Sequence, residues 1–367
     1  MRVLMVCPEL PSVGRPGSMA PALRQFESLE ELGVEVETYD MRGISVLKYL
    51  VALPRIRLRS RGVDIVHSHF GFCGWLVFLA TLLMRRRPKR IMSYMGDDLL
   101  GTPYNEDGDL ERFSCWMVHL NKWLAKKFDR VIVKSSEMSR VLAPTSATVV
   151  PNGVDVSAFC AAERNAARQE IGVPQQGLYV LFPGNPENPR KGYRLAKAAV
   201  EEAQEIVGQS IGILTLWEVS PEQVPLFMSA ANLMTMTSLI EGSPNVVKEA
   251  MACNVPIVSV RVGDTLELLE GVPGCYLCER RTADLAEGIV NAIRDGQSGG
   301  RRAIEEKELD LSAVAQRVLA IYQETTDSGE LEPSRISTHE ISAETKESSS
   351  PGEACYTTAD SEPMEAV

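Results

Sequence analysis

No stretch of this chain is apolar for long enough to cross a bilayer. The longest such run, residues 72–84, is too short for a spanning helix. Nothing at the N-terminus resembles a signal peptide. Residues 1–7 form a brief apolar run with one Arg, and Pro8 and Pro11 cut it off. Histidine is scarce, with four in 367 residues. Among the eight cysteines there is one close pair, Cys275 and Cys278, without the second pair a structural zinc site needs, so buried apolar cysteine is the expected reading. The first strand–helix loop has no G-x-G-x-x-G, which argues against a dinucleotide-dependent oxidoreductase. These points favour a reducing cytoplasm, with the chain at most peripheral on the inner face of a membrane.

What is present suffices for two ordinary domains: 367 residues with 44% hydrophobic side chains. The net charge is −11, which is unfriendly to nucleic acid, but it is unevenly spread. Residues 1–160 hold 21 Lys and Arg against 17 Asp and Glu, whereas residues 161–324 carry −7 and residues 325–367 carry −8. A basic first half on an acidic protein suggests an anionic partner on that side.

Apolar runs suited to buried parallel strands fall at 3–7, 65–67, 90–94, 130–134 and 148–151, with a further strand at 34–39. Helix-sized segments separate them, the first over 20–32 and stopped by Gly33. The pattern restarts after the turn Pro151-Asn152-Gly153-Val154-Asp155, with strands at 179–182, 211–216, 233–236, 256–260 and 274–277 and a last helix at 311–323. Such alternation predicts an α/β protein of two Rossmann-like, doubly wound parallel sheets. The domain bounds read as 1–150 and 151–324, with the last helix able to pack back on the first domain. Residues 325–367, rich in Ser, Thr, Glu and Pro, read as a disordered acidic tail. Functional loops belong at the C-terminal ends of strands, where Gly17, His69, Gly96 and Asp97 fall.

Two segments carry most of the chemistry. In Glu241-Gly242-Ser243-Pro244-Asn245-Val246-Val247-Lys248-Glu249, Ser243 and Pro244 suit an N-cap and first helical position. The free amides of Asn245 and Val246 then form an anion site. Glu241 before the helix and Glu249 in its second turn place carboxylates for hydroxyls on either side of a bound phosphate. The plain alternative is a surface Glu and an amphipathic helix. The second segment, residues 183–192, is a Pro- and Gly-rich loop after a strand that presents Arg190 and Lys191, adjacent cations that suit a diphosphate. Its plain alternative is a solvated basic turn.

Taken together, these segments resemble glycosyltransferase family 4, retaining enzymes of the GT-B fold, over nearly all of residues 1–324. Glu241 and Glu249 match the family's E-x7-E motif. Lys191-Gly192 with Gly184 matches its phosphate loop, residues 151–155 its inter-domain turn, and the Gly17 loop its N-terminal phosphate-facing loop. The resemblance implies that Glu249 binds ribose hydroxyls, that Glu241 faces the donor sugar, and that Lys191 with an arginine neutralises the diphosphate. It also places Gly17, Gly184, Asn185, Gly242, Ser243, Pro244, Asn245 and Val246 around the donor. Two departures stand out. Asn185 occupies the place of the family's usual arginine, with Arg190 as its substitute. The loop at residues 93–98 lacks the histidine many members have, which leaves Asp97 or Asp98 to contact acceptor or sugar.

His69 is read as an acceptor contact in the cleft, His67 and His119 as packed core. The Asp97-Asp98 pair resembles a metal site only superficially, and no metal or cofactor is expected. The implied partners are a nucleotide-sugar donor, a glycan or lipid-linked acceptor and no nucleic acid. The basic segments at 41–63 and 85–90, interleaved with apolar residues, suit an anionic membrane surface or a solvated face beside a core helix. The reading is therefore a metal-independent, hexosyl-type retaining transferase in surface polysaccharide synthesis. A nucleotide-sugar epimerase of the same fold and a binding protein with a degenerate cleft are its rivals.

Overall fold

The computed structural model describes residues 1–12, 18–41 and 47–327. The Gly17 loop and the tail beyond Asp327 lie outside the described residues.

The first half runs β1 (Arg2–Cys7), α1 (Ala20–Glu31), β2 (Glu35–Asp40), α2 (Leu47–Arg59), β3 (Ile65–His69), α3 (Gly71–Thr81), β4 (Lys89–Ser93), α4 (Asp97–Leu100), α5 (Arg112–Ala125), β5 (Arg130–Val133), α6 (Ser136–Leu142) and β6 (Thr148–Val149). Its six strands are all parallel, in the order β2-β1-β3-β4-β5-β6. Central strands such as β1 and β3 are buried on both faces, which is why they read as nearly unbroken apolar runs. Edge strand β2 alternates with charge, as a half-solvated edge does.

The second half contains α7 (Arg164–Glu170), β7 (Leu178–Phe182), α8 (Tyr193–Val207), β8 (Ile211–Thr215), α9 (Val224–Ala230), β9 (Leu233–Met236), α10 (Asn245–Ala252), β10 (Ile257–Val260), α11 (Thr265–Leu269), β11 (Cys275–Cys278), α12 (Thr282–Asp295), α13 (Gly300–Glu306) and α14 (Leu311–Asp327). Its parallel sheet is ordered β11-β10-β9-β7-β8. Read from β8, this is the same winding as the first five strands of the other sheet. Both sheets therefore reverse direction after their first strand, between β1 and β3 and between β7 and β9. At such a switch point adjacent loops leave in opposite directions and open a crevice at the strands' C-terminal ends. The loops that carry Arg190, Lys191 and Glu241 follow β7 and β9.

One core fills the second half around β7, β9 and β10. In the first half, α1 and α14 cover one sheet face, while α2 and α3 cover the other. Val314, Val318 and Tyr322 of α14 bury themselves against Val3, Met5 and Ile91, so the last helix completes the core of the first half. It runs through Asp327, with Thr325 buried, so residues 325–327 are helical and not part of the expected tail. Apolar burial keeps helical order there. His119 also departs from expectation: it is exposed on α5, its Nδ1 2.8 Å from the Cys115 carbonyl oxygen. Trp116 and Trp123 on the same helix are exposed as well.

Candidate functional site

The switch-point loops of both halves line a cleft of about 700 Å³. Met19, Arg24, Phe70, Gly96 and Asp97 come from the first half. Gly184, Asn185, Arg190, Lys191, residues 241–246 and Glu249 come from the second. The halves touch at two glycines. A Cβ on Gly242 would sit 2.5 Å from the Met95 carbonyl oxygen, and one on Gly96 would sit 3.2 Å from the Gly242 nitrogen. Gly96 also holds φ +148, so only glycine suits this approach.

The loop after β7 is held by its own short bonds. Asn185 Oδ1 accepts the Glu187 amide, and Asn188 Oδ1 caps the single turn that carries Arg190 and Lys191. Gly184 lies at φ +145 with the Lys191 side chain across it, so a side chain there would displace the lysine. Lys191 Nζ is 2.7 Å from Glu241 Oε1. Arg190 Nη1 is 2.7 Å from Asp97 Oδ1 and 3.9 Å from Glu241 Oε2. Burial pushes the Glu241 carboxyl up, but Lys191 and Arg190 outweigh it and hold the pKa below the ordinary value. Burial raises the Asp97 pKa against the opposing pull of Arg190.

At the α10 start the capping differs from the sequence reading. Pro244, not Ser243, is the N-cap, and Asn245 is the first helical residue. Ser243 Oγ instead donates to Asp264 Oδ2 at 2.6 Å and accepts from the buried Lys248 Nζ at 2.7 Å. Charged partners are stronger than a backbone amide, so they take the hydroxyl. Proline has no group to cap with, so the amides of Asn245 and Val246 have no acceptor among the described residues and open toward the cleft. Asn245 Oδ1 accepts from Asn152 Nδ2 at 3.2 Å, which ties the inter-domain turn to this helix. Deeper along the cleft wall, Glu249 Oε1 is 3.3 Å from Arg24 Nη1. Burial raises the Glu249 pKa, with Arg24 opposing.

The three expectations for the first half divide. Asp97 lies on the cleft wall in the first turn of α4. Asp98 does not. It is buried and accepts the amides of Gly71, Met95 and Gly96 at about 3 Å, fastening the 94–97 loop. Burial raises its pKa to about 6 even against those bonds. His69, expected as an acceptor contact, is fully buried between Phe26 and His67, and neither ring nitrogen has a hydrogen-bond partner among the described residues. The side chain of a strand's last residue points into a sheet face, here the α1 side, while the chain beyond it reaches the cleft. Phe70, one residue on, is the one that lines it. His67 is core as expected, bonded to Tyr322 Oη at 2.6 Å and Ser93 Oγ at 2.8 Å. Burial holds the Cys275 and Cys278 thiols near 12 and 11, so they stay protonated.

Sequence reasoning missed Arg24, whose guanidinium also lies over the Phe159 ring. It is one polar residue on an amphipathic helix, and no local signal marks it. It missed Leu216, Trp217, Val219 and Pro221 as well, an apolar lip after β8. Their position after a second-half strand was the available clue.

Known proteins resemble both halves of the chain. Residues 15–158 match the model described as Glycosyltransferase Family 4, and residues 177–295 match that of Glycosyl transferases group 1. D-inositol 3-phosphate glycosyltransferase of Segniliparus rotundus is 25% identical over 323 residues, covering 74% of this chain and 68% of the relative. Among solved structures, sucrose-phosphate synthase of Thermosynechococcus elongatus superposes with a TM-score of 0.70 at 16% identity, over 89% of this chain and 99% of that one. HepE of Anabaena, solved with UDP and glucose, gives 0.66 at 18% identity, over 88% and 100%. The fold is accordingly two Rossmann-like domains of the GT-B kind.

Proposed function

The chain belongs to glycosyltransferase family 4, and from that premise we propose that it is a retaining, hexosyl-type enzyme whose donor is a nucleotide-sugar. In this reading the donor lies mainly on the second half and a glycan or lipid-linked acceptor on the first, in the building of a surface polysaccharide. One observation carries it: two cations, two open helix amides, the buried Glu241 and the half-buried Glu249 converge on a single cleft.

The diphosphate sits between Lys191, Arg190 and the amides of Asn245 and Val246. Glu249 takes the ribose hydroxyls, Glu241 faces the sugar, and the lip at Leu216, Trp217 and Pro221 receives the base. UDP and glucose in the HepE complex support a ligand of this class. As the glycosidic bond breaks, negative charge gathers on the departing diphosphate. Groups already aimed at that position stabilise the transition state more than the bound donor. The donor must first part Lys191 from Glu241 and Arg190 from Asp97. Both carboxylates are then free to accept hydrogen bonds from sugar or acceptor hydroxyls, and Asp97 belongs to the loop that lacks the histidine many members of the family have.

A thermal-shift screen with UDP-, GDP- and ADP-sugars tests the donor class, since a ligand at a hundred times its Kd stabilises the fold by about 2.7 kcal/mol. One of these is expected to raise Tm, and turnover with it is expected to survive EDTA. No shift with any of them, or full loss on chelation restored by Mg²⁺, would overturn the reading.

A further inference from the structure

The outer face of the first half combines exposed apolar side chains with unpaired cations. On α3, Phe72, Trp75 and Leu79 repeat at helical spacing, and Leu82 and Leu83 follow it. Leu83 is 81% exposed, Leu79 48% and Leu82 49%. Beside them α5 turns Phe113, Trp116 and Trp123 outward, at 61%, 57% and 44%. The two helices meet through Trp75 and Trp123, stacked at 5.7 Å and 8°, with Phe78 edge-on to Trp123. Helix α2 lies on the other side of α3, where Arg57 donates to the carbonyls of Ala80 and Leu83.

Cations dominate this face. Residues 47–64, 71–90 and 111–129 contain fourteen Lys and Arg against three carboxylates, Asp64, Glu111 and Asp129, in a chain of net charge −11. Lys127 and Arg90 lie over the rings of Trp123 and Phe78. Arg87 pairs with Asp129, and Arg59 with Glu37. Arg85, Arg86 and Lys126 are exposed and paired with no carboxylate among the described residues.

We propose that the face formed by α2, α3 and α5 docks on an anionic lipid surface. Three arguments choose this occupant. Leucines ringed by Trp, Lys and Arg match the depth profile of a bilayer interface, with alkyl groups innermost, indoles at headgroup level and cations on the phosphates. Nucleic acid would satisfy the cations but leave Leu79, Leu82 and Leu83 in water. A second copy would satisfy the leucines, yet a two-fold contact sets the same cations against each other. The face also reaches the cleft. Phe70 lines the cleft and stacks on Phe72 at 6.0 Å, and Phe72 packs on Tyr49 of α2. Docking rests on this surface alone. That it brings a lipid-linked acceptor to the cleft mouth rests on the transferase reading above.

The test is co-sedimentation of the full chain with vesicles of phosphatidylcholine, alone or mixed with phosphatidylglycerol. Binding is expected to the mixed vesicles only, and to fall as salt is raised. Arg85→Glu with Arg86→Glu should weaken it more than about twenty-fold, since each surface cation contributes about five-fold. Leu82→Glu with Leu83→Glu should weaken it as well. Calorimetry with the nucleotide-sugar selected above should give unchanged donor affinity in both variants, which shows that they fold and separates this test from failure of the site. Equal binding to neutral vesicles, no binding to either, or binding indifferent to both variants would overturn the proposal. Self-association that the variants abolish, without vesicle binding, would also overturn it and make the face a contact between copies.

Discussion

The two halves share a winding but not a use of charge. In the second half, the two decisive cations, Arg190 and Lys191, are turned into the cleft on a stiff loop. In the first half, cations face outward on α2 and in the segments that follow α3 and α5. Among the described residues, what it sends into the cleft is one residue of each sign, Arg24 and Asp97, each paired with its opposite from the other half: Arg24 with Glu249, Asp97 with Arg190. Topology thus decides where a loop can act, and side chains decide what it does there. Ion pairs between the halves therefore span the cleft.

The sharpest way to break this contrast is to remove the second half's cation. Lys191→Ala should lower kcat/KM by roughly a hundredfold or more, with kcat falling as well as donor KM rising. Arg190→Ala should act in the same sense, and the double variant should be non-additive, because both serve one diphosphate. Effects confined to KM would mean that these groups hold the donor without favouring its transition state. Next in size, Glu249→Ala should weaken nucleotide binding by about 1.5–3 kcal/mol, the worth of a hydrogen bond to a charged group. Calorimetry showing full affinity would remove the ribose role.

On the first half the effects should be smaller and of another kind. Asp98→Ala leaves three amides without their acceptor, two of them buried, and should cost about 1–3 kcal/mol of stability in urea unfolding, with donor affinity retained. Smallest is Arg24. Glu249 must be ionised to accept hydroxyls, and its pKa is raised by burial with Arg24 opposing. Nucleotide affinity should therefore be full well above that raised pKa and decline as pH falls through it. Arg24→Ala removes the opposing cation, so the decline should begin at higher pH, a change within about tenfold in affinity at a given pH. An unmoved pH profile would show that the Arg24–Glu249 pair has no bearing on the donor.

The sequence by itself determined the architecture. Buried parallel strands need apolar runs and turns need Gly, Pro and Asn, and both are local demands, so β1, β7 and β9 were legible within a residue or two. The Arg190-Lys191 loop and the span from Glu241 to Glu249 were legible for the same reason, each being one contiguous segment at a strand end. Tertiary structure alone decided what depends on distant partners. Ser243 reads as a cap until Asp264 and Lys248 arrive from 21 and five residues away to claim its hydroxyl. Asp98 reads as a free carboxylate until the Gly71 amide reaches it, and His69 as a cleft residue until α1 covers it. Arg24 acquires a role only through a carboxylate 225 residues on. Hydrogen-bond competition and burial are settled by which groups the fold brings together, and local pattern does not encode that.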